Sequence, residues 1–263
     1  MERESAVAGR FYPAERERLA ADLEHFLAGS EPPQPAIGVL APHAGYVYSG
    51  AIAGAVYARV AVPAQAIVLC PNHTGFGRPV SLWPDGAWCT PLGRVPVDEA
   101  LVSTLETSPL VEPDRQAHRY EHALEVQLPF LQARRPGITI APLCIGPLDL
   151  EDCRALGQVV AAAARGGALV VASSDMSHYV PADEAALRDG HALERLLALD
   201  AEGLYRTVRR EGISMCGVVP ATVMLFAARA LGATEARLVR YGNSGETNGD
   251  LERVVGYAGV TVA

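Results

Sequence analysis

The chain has 263 residues, 49% hydrophobic and 20% charged, with 30 acidic against 22 basic side chains and a formal charge of −8. That length buries a substantial core, and that balance excludes a disordered chain. An acidic surplus without a cluster of Lys and Arg excludes a nucleic-acid partner, which needs phosphate-neutralising cations.

Met1-Glu2-Arg3-Glu4 is charged where a signal peptide would be apolar, and the apolar windows near 168–172 and 218–230 are shorter than the about 20 residues that span a bilayer. A cytoplasmic protein with no membrane partner is expected. Residues 4–12 read as an irregular leader packed on the body. A helix follows with Leu19, Leu23, Phe26 and Leu27 on one face, ended by Gly29 and the prolines after it. Residues 37–41 form a buried strand that stops at Pro42, which has no N–H for a sheet ladder, and exposes His43. A small-residue helix over 49–56 packs on the sheet. The strand 67–70 runs into Pro71-Asn72-His73.

Residues 80–92 read as a strand pair turned at Pro84-Asp85-Gly86, and Asp98 caps a short helix to Leu105. A polar loop, 112–120, leads to a helix over 121–128 that kinks or stops near Pro129. Then come a strand over 138–145, a helix capped by Asp149, and the strand 169–172 running into Ser173-Ser174-Asp175-Met176-Ser177-His178. Helices over 182–199, 201–210 and 220–231, and strands over 237–241 and 254–262, complete the chain. Alternating strands and helices without a composition break predict one α/β domain: three layers with a mostly parallel central sheet.

Three strands thus deliver His43, His73 and His178 just past their carboxyl ends, where open α/β sheets keep their clefts. Any one of them alone reads as a turn histidine, but three in equivalent positions read as a site for a metal, since neutral imidazole is the commonest ligand. Asp175 orients that site, contacts the metal, or simply caps a turn. The five cysteines are odd in number and lack a Cys-x-x-Cys pair, which argues against a disulfide framework or zinc ribbon. Cys216 precedes a helix whose N-terminus would lower its pKa, although position alone favours a buried structural thiol. On a helix, His118 and His122, and likewise Glu121 and Glu125, would share a face. His118 then reads as solvated or substrate-facing surface, with Glu121 and His122 at the pocket's border. His25 and His191 read as ordinary helical positions.

Ala41-Pro42-His43-Ala44-Gly45-Tyr46, Pro71-Asn72-His73, residues Glu121-His122-Ala123-Leu124-Glu125-Val126-Gln127-Leu128-Pro129, Ser173-Ser174-Asp175-Met176-Ser177-His178 and Cys216-Gly217 together resemble the Memo family. The leader from Arg3 to Pro13 is similar to that family's start, so the resemblance spans 1–263 as a single domain. It implies a fold like that of class III extradiol (LigB-type) dioxygenases. It further implies one metal ion, iron(II) or copper with zinc as a third option, on His43, His73 and Cys216, with His178 and Asp175 as the catalytic residues beside it. Tyr46, Asn72, Glu121 and His122 would border the substrate pocket. Family association also implies radical-SAM and AMMECR-type partner proteins. One departure stands out: the related dioxygenases complete their two-histidine set with a carboxylate, where this chain has a cysteine. Three readings follow: a dioxygenase-like oxidoreductase, a non-catalytic module that binds a peptide or partner in the same crevice, and a zinc hydrolase.

Overall fold

In chain order the secondary structure comprises β1 (Glu2–Arg3), α1 (Arg16–Phe26), β2 (Gly38–Ala41), α2 (Tyr46–Arg59), β3 (Gln65–Pro71), β4 (Val80–Leu82), β5 (Ala87–Thr90) and β6 (Gly93–Pro96). There follow α3 (Glu99–Leu105), β7 (Glu112–Pro113), a 3-10 turn (Glu125–Gln127), α4 (Leu128–Arg134), β8 (Thr139–Ile145), α5 (Leu150–Ala164), β9 (Leu169–Ser173) and β10 (His178–Val180). The chain ends with α6 (Ala182–Leu197), α7 (Ala201–Glu211), α8 (Val218–Ala230), β11 (Ala236–Asn243), α9 (Gly245–Asn248) and β12 (Val254–Val262). These come from a computed structural model that describes residues 1–29 and 31–263.

The strands β2, β3, β8 and β9 are near-continuous apolar runs buried along their length, the composition of strands covered on both faces. They lie side by side as β2-β9-β3-β8, all parallel, with Leu40, Ala172, Leu69 and Leu143 in one register row. Antiparallel strands flank this block: β12, carrying β10 and β11, beside β2, and β4 beside β8. The sheet is thus parallel through its middle, as expected, with a further parallel pair, β4 with β7, and antiparallel strands towards its edges. Helices cover both faces. A Cβ at Gly259 of β12 would strike Ile52 and Val56 of α2, whereas one at Gly256, on the opposite face, would strike Asp189 of α6. A Cβ at Gly38 would likewise strike Met224 of α8. Three layers result, with the core between them.

Two local expectations are corrected. Residues 80–92 do not form a hairpin: β4 joins the main sheet beside β8 and β7, while β5 pairs with β6 and β1 in a separate three-stranded sheet. The cause is the leader, whose β1 takes the edge of β5 and whose Met1 packs on Gly86, held at φ +85°. Residues 121–124 are not helical either, and Pro129 sits in the first turn of α4 rather than ending a helix. Its fixed φ and missing N–H suit that position, where the N–H would have no intrahelical partner. His118 and His122 therefore share no helix face.

Candidate metal centre

Beyond the carboxyl ends of the parallel strands the structure brings His43, His73 and Cys216 together. One ligating atom from each lies within 4.8 Å of the others, and His43 Nε2 is 3.2 Å from Cys216 Sγ. His43 follows β2, His73 follows β3, and Cys216 precedes α8. Gly217 permits that approach, because a Cβ there would collide with the Ser173 carbonyl and the Ser174 side chain.

Hydrogen bonding decides which nitrogen of each ring is free. The Ser173 hydroxyl donates to the Ala123 carbonyl at 2.6 Å and accepts from Gln127 Nε2 at 2.8 Å. Its one proton is thus committed, so His43 Nδ1, 2.9 Å away, must be the donor to Ser173 Oγ. His73 Nδ1 donates to the Glu121 carboxylate at 2.9 Å, whose other oxygen accepts the His73 backbone N–H at 2.6 Å. His178 Nδ1 donates to the Ser214 carbonyl, also at 2.9 Å. All three imidazoles carry their proton on Nδ1 and hold Nε2 as a lone pair. Carbonyl and carboxylate partners set the tautomer of ligating histidines in this way.

Burial shapes the charges. His43 is held well below its ordinary pKa, first by burial and then by the neighbouring imidazoles of His122, His73 and His178, so it stays neutral. Partial burial opposes protonation of His73, but the bond to Glu121 outweighs it and raises the ring's pKa. Asp175 is 5% exposed and accepts the His43 backbone N–H at 2.7 Å; burial pushes its carboxyl up to about 6. The Cys216 thiol is raised, by burial and then by Asp175. The lowering expected from the helix N-terminus is overridden, and Cys216 is a neutral thiol in the metal-free protein.

The remaining expected site residues are placed as follows. His178 begins β10, half-buried, near enough for its charge to act on His43 and Asp175. His122 stacks on His73, with ring centroids 4.8 Å apart, and lies 5.4 Å from His43, at the cluster's border. Glu121 is fully buried beneath His73. Asn72 turns its side chain onto its own loop, capping the Thr74 and Gly75 amides and donating to the Phe76 carbonyl. Tyr46 is not in a pocket: it packs among Tyr12, Phe26 and Phe130, and its hydroxyl donates to the Val126 carbonyl. A helix starting at Tyr46 turns that ring into the core. His118 is buried rather than solvated, edge-on to Trp83 and Trp88, with Nε2 2.9 Å from the Ser81 carbonyl; burial drives its pKa down to about 4.

Sequence reasoning missed the groups that hold the cluster. Ser173, Ser214 and Gln127 fix ring orientations. Arg3 donates to the His118 and Glu121 carbonyls and to the Glu125 carboxylate while lying over Trp88. Glu125, fully buried, also accepts the Ala6 and Val7 amides and the Tyr12 hydroxyl. The leader thereby clamps the loop that presents Glu121 and His122. A cation three residues from the start, in a stretch otherwise acidic and small, is the one signal available.

A family model described as "Memo-like protein" matches residues 3–261. A "MEMO1 family protein" of Aquifex aeolicus is 44% identical over 263 residues, covering 98% of each chain. A MEMO1 family protein of Methanosarcina barkeri is 44% identical over 265 residues, covering 99% of each. A solved structure from Escherichia coli, titled as the uncharacterized protein JW3007, gives a TM-score of 0.48 at 19% identity, covering 73% of this chain and 85% of that one. Among the described residues no helix is long and apolar enough to cross a membrane.

Proposed function

We propose a function from one premise: the chain belongs to the Memo-like protein family. On this reading the protein binds one iron or copper ion through His43, His73 and Cys216 and acts as an oxidoreductase on a small substrate in the cleft above it. The observation that carries the reading is the convergence of two imidazoles and a thiol within 4.8 Å, with both ring protons committed to Nδ1.

The surroundings fit a cation. Asp175 and Glu121 are buried carboxylates beside the three donors, and Asp175 has no cationic side chain in ion-pair contact among the described residues. A soft thiolate with two imidazoles suits copper, iron or zinc rather than magnesium or calcium. Ligation requires the thiolate, so Cys216 gives up its proton on binding. A bound iron or copper ion would supply one-electron exchange and activation of dioxygen. The chain's own residues do the rest. His178, its Nδ1 proton held by the Ser214 carbonyl, keeps Nε2 free to accept a proton from substrate. Asp175 fixes the backbone of His43, and Glu121 the ring of His73.

Elemental analysis of anaerobically purified protein tests this. His43→Ala and Cys216→Ala are expected to lose most of the iron or copper. His178→Ala is expected to keep it while dioxygen consumption over a panel of phenols and thiols falls by about 10²–10⁴. Equal metal content in the native protein, His43→Ala and Cys216→Ala would end the proposal.

A further inference from the structure

Cys216 and Asn72 also line a cavity of ≈ 440 Å³ between the carboxyl ends of β3 and β8 and the helices α7 and α8. That volume is in the range of small-molecule sites. Its walls are mostly apolar, among them Pro71, Ile145 and Val219, and its one charged lining residue is Arg209. The histidines and carboxylates of the cluster are not in the wall, so this chamber meets the cluster at the thiol.

Arg209 stands apart from its neighbours on α7. Arg206 pairs with Glu202 and Arg210 with Glu211, but Arg209 has no carboxylate partner among the described residues. Its guanidinium rests over the Tyr205 ring, 4.9 Å from the centroid. In a chain of net charge −8, an apolar chamber carrying one unpaired guanidinium and no acid draws anions locally. The planar fork of Arg suits the paired oxygens of a carboxylate or phosphate.

We infer that this chamber takes the anionic end of a small acid, a carboxylate or phosphate, with Arg209 as its counter-ion and the rest of the molecule lying over Pro71 and Val219 towards Cys216. Placing the far end at the reacting centre rests on the proposed metal site. The charge preference of the chamber does not.

Cys216 itself reports on the inference in metal-free, full-length protein. Iodoacetate and iodoacetamide form the same carbon–sulfur bond and expel the same iodide, the thiol proton going to buffer, but only iodoacetate is an anion. Rates are read at each cysteine by peptide mass spectrometry. Cys89, whose neighbours include Glu2 and Glu4, is the internal control for an anion-averse thiol. The iodoacetate-to-iodoacetamide rate ratio at Cys216 is expected to exceed that at Cys89 by about tenfold. It should fall to the Cys89 value in Arg209→Gln and largely return in Arg209→Lys. Slowing of Cys216 labelling by succinate or by inorganic phosphate shows which acid is taken. The inference is overturned by a native ratio no higher than at Cys89, by a ratio unchanged in Arg209→Gln, by protection from neither anion, or by a Cys216 that resists both reagents. No metal is present at any stage, so failure of the metal reading would leave these outcomes untouched.

Discussion

Two buried walls around the histidine cluster treat charge in opposite ways. On the wall built from 118–125, each buried carboxylate meets a positive or proton-donating ring or guanidinium: Glu125 faces Arg3, and Glu121 faces His73. Burial pushes Glu121 up, yet the bond from His73 holds it below the ordinary carboxylate range. On the wall that carries Asp175 and Asp189, the carboxylates receive only N–H and O–H donors, from His43 on one side and from Ser177 and Tyr241 on the other. Burial raises both, Asp175 to about 6. The first wall is neutralised from within the chain. The second keeps a negative charge that a cation in the cleft would offset.

The comparison breaks hardest at Glu125. Glu125→Leu leaves Arg3 buried without a counter-charge and strands the Ala6 and Val7 amides and the Tyr12 hydroxyl. A loss of about 3–5 kcal/mol is expected in urea unfolding. A loss below about 1 kcal/mol would mean that the leader does not hold this wall.

Acid separates the walls by sign. His118 titrates near 4 in the folded chain, below its ordinary 6.5, so its contribution is complete above about pH 6.5 and is lost as pH falls towards 4. That loss is worth up to about 3 kcal/mol. Asp175 is raised, so its contribution is complete below 3.8 and is lost as pH rises through about 6. Unfolding midpoints of metal-free protein at pH 7, 5 and 4 should fall less steeply in His118→Met and more steeply in Asp175→Asn. Parallel curves for both variants and the native chain would remove the contrast.

Smaller effects sharpen it on the second wall. Gly217→Ala forces a methyl into the Ser173 carbonyl and Ser174, with an expected cost of about 1–3 kcal/mol in thermal or urea unfolding and loss of bound metal through displacement of Cys216. Ser173→Ala should leave stability within about 1 kcal/mol but weaken metal binding at least about tenfold, because the His43 tautomer is no longer set. Competition titration against a chelator reads the latter, and unchanged affinity would show that the hydroxyl does not matter.

What could be read in the sequence was local. A hydrophobic run closed by Pro42, or by Pro71 two residues before His73, announces a strand that ends just before a histidine, and the structure has both strands. The Asp98 and Asp149 caps are likewise local, and both accept the amides expected of them. What could not be read depends on partners far along the chain. His118 looked solvated because the indoles and the Ser81 carbonyl around it lie 30 or more residues earlier in the sequence. Glu121 and Glu125 looked like one face of a helix, and only Arg3, 122 residues before Glu125, reveals why they are buried. Pro129 reads as kinking or stopping a helix, whereas its place in the first turn of α4 depends on the chain before it staying non-helical. The serines that set the ring tautomers carry no pattern at all.

The distance along the chain between donors has one more consequence. Cys216 comes 173 residues after His43, so no N-terminal stretch emerging during synthesis contains the full set. The thiol is made long after both imidazoles, and the wall opposite it needs the leader docked against residue 125. Under the proposed metal reading, a growing chain offers scattered imidazoles with little grip on an ion, and capture waits until folding has closed the longest loops.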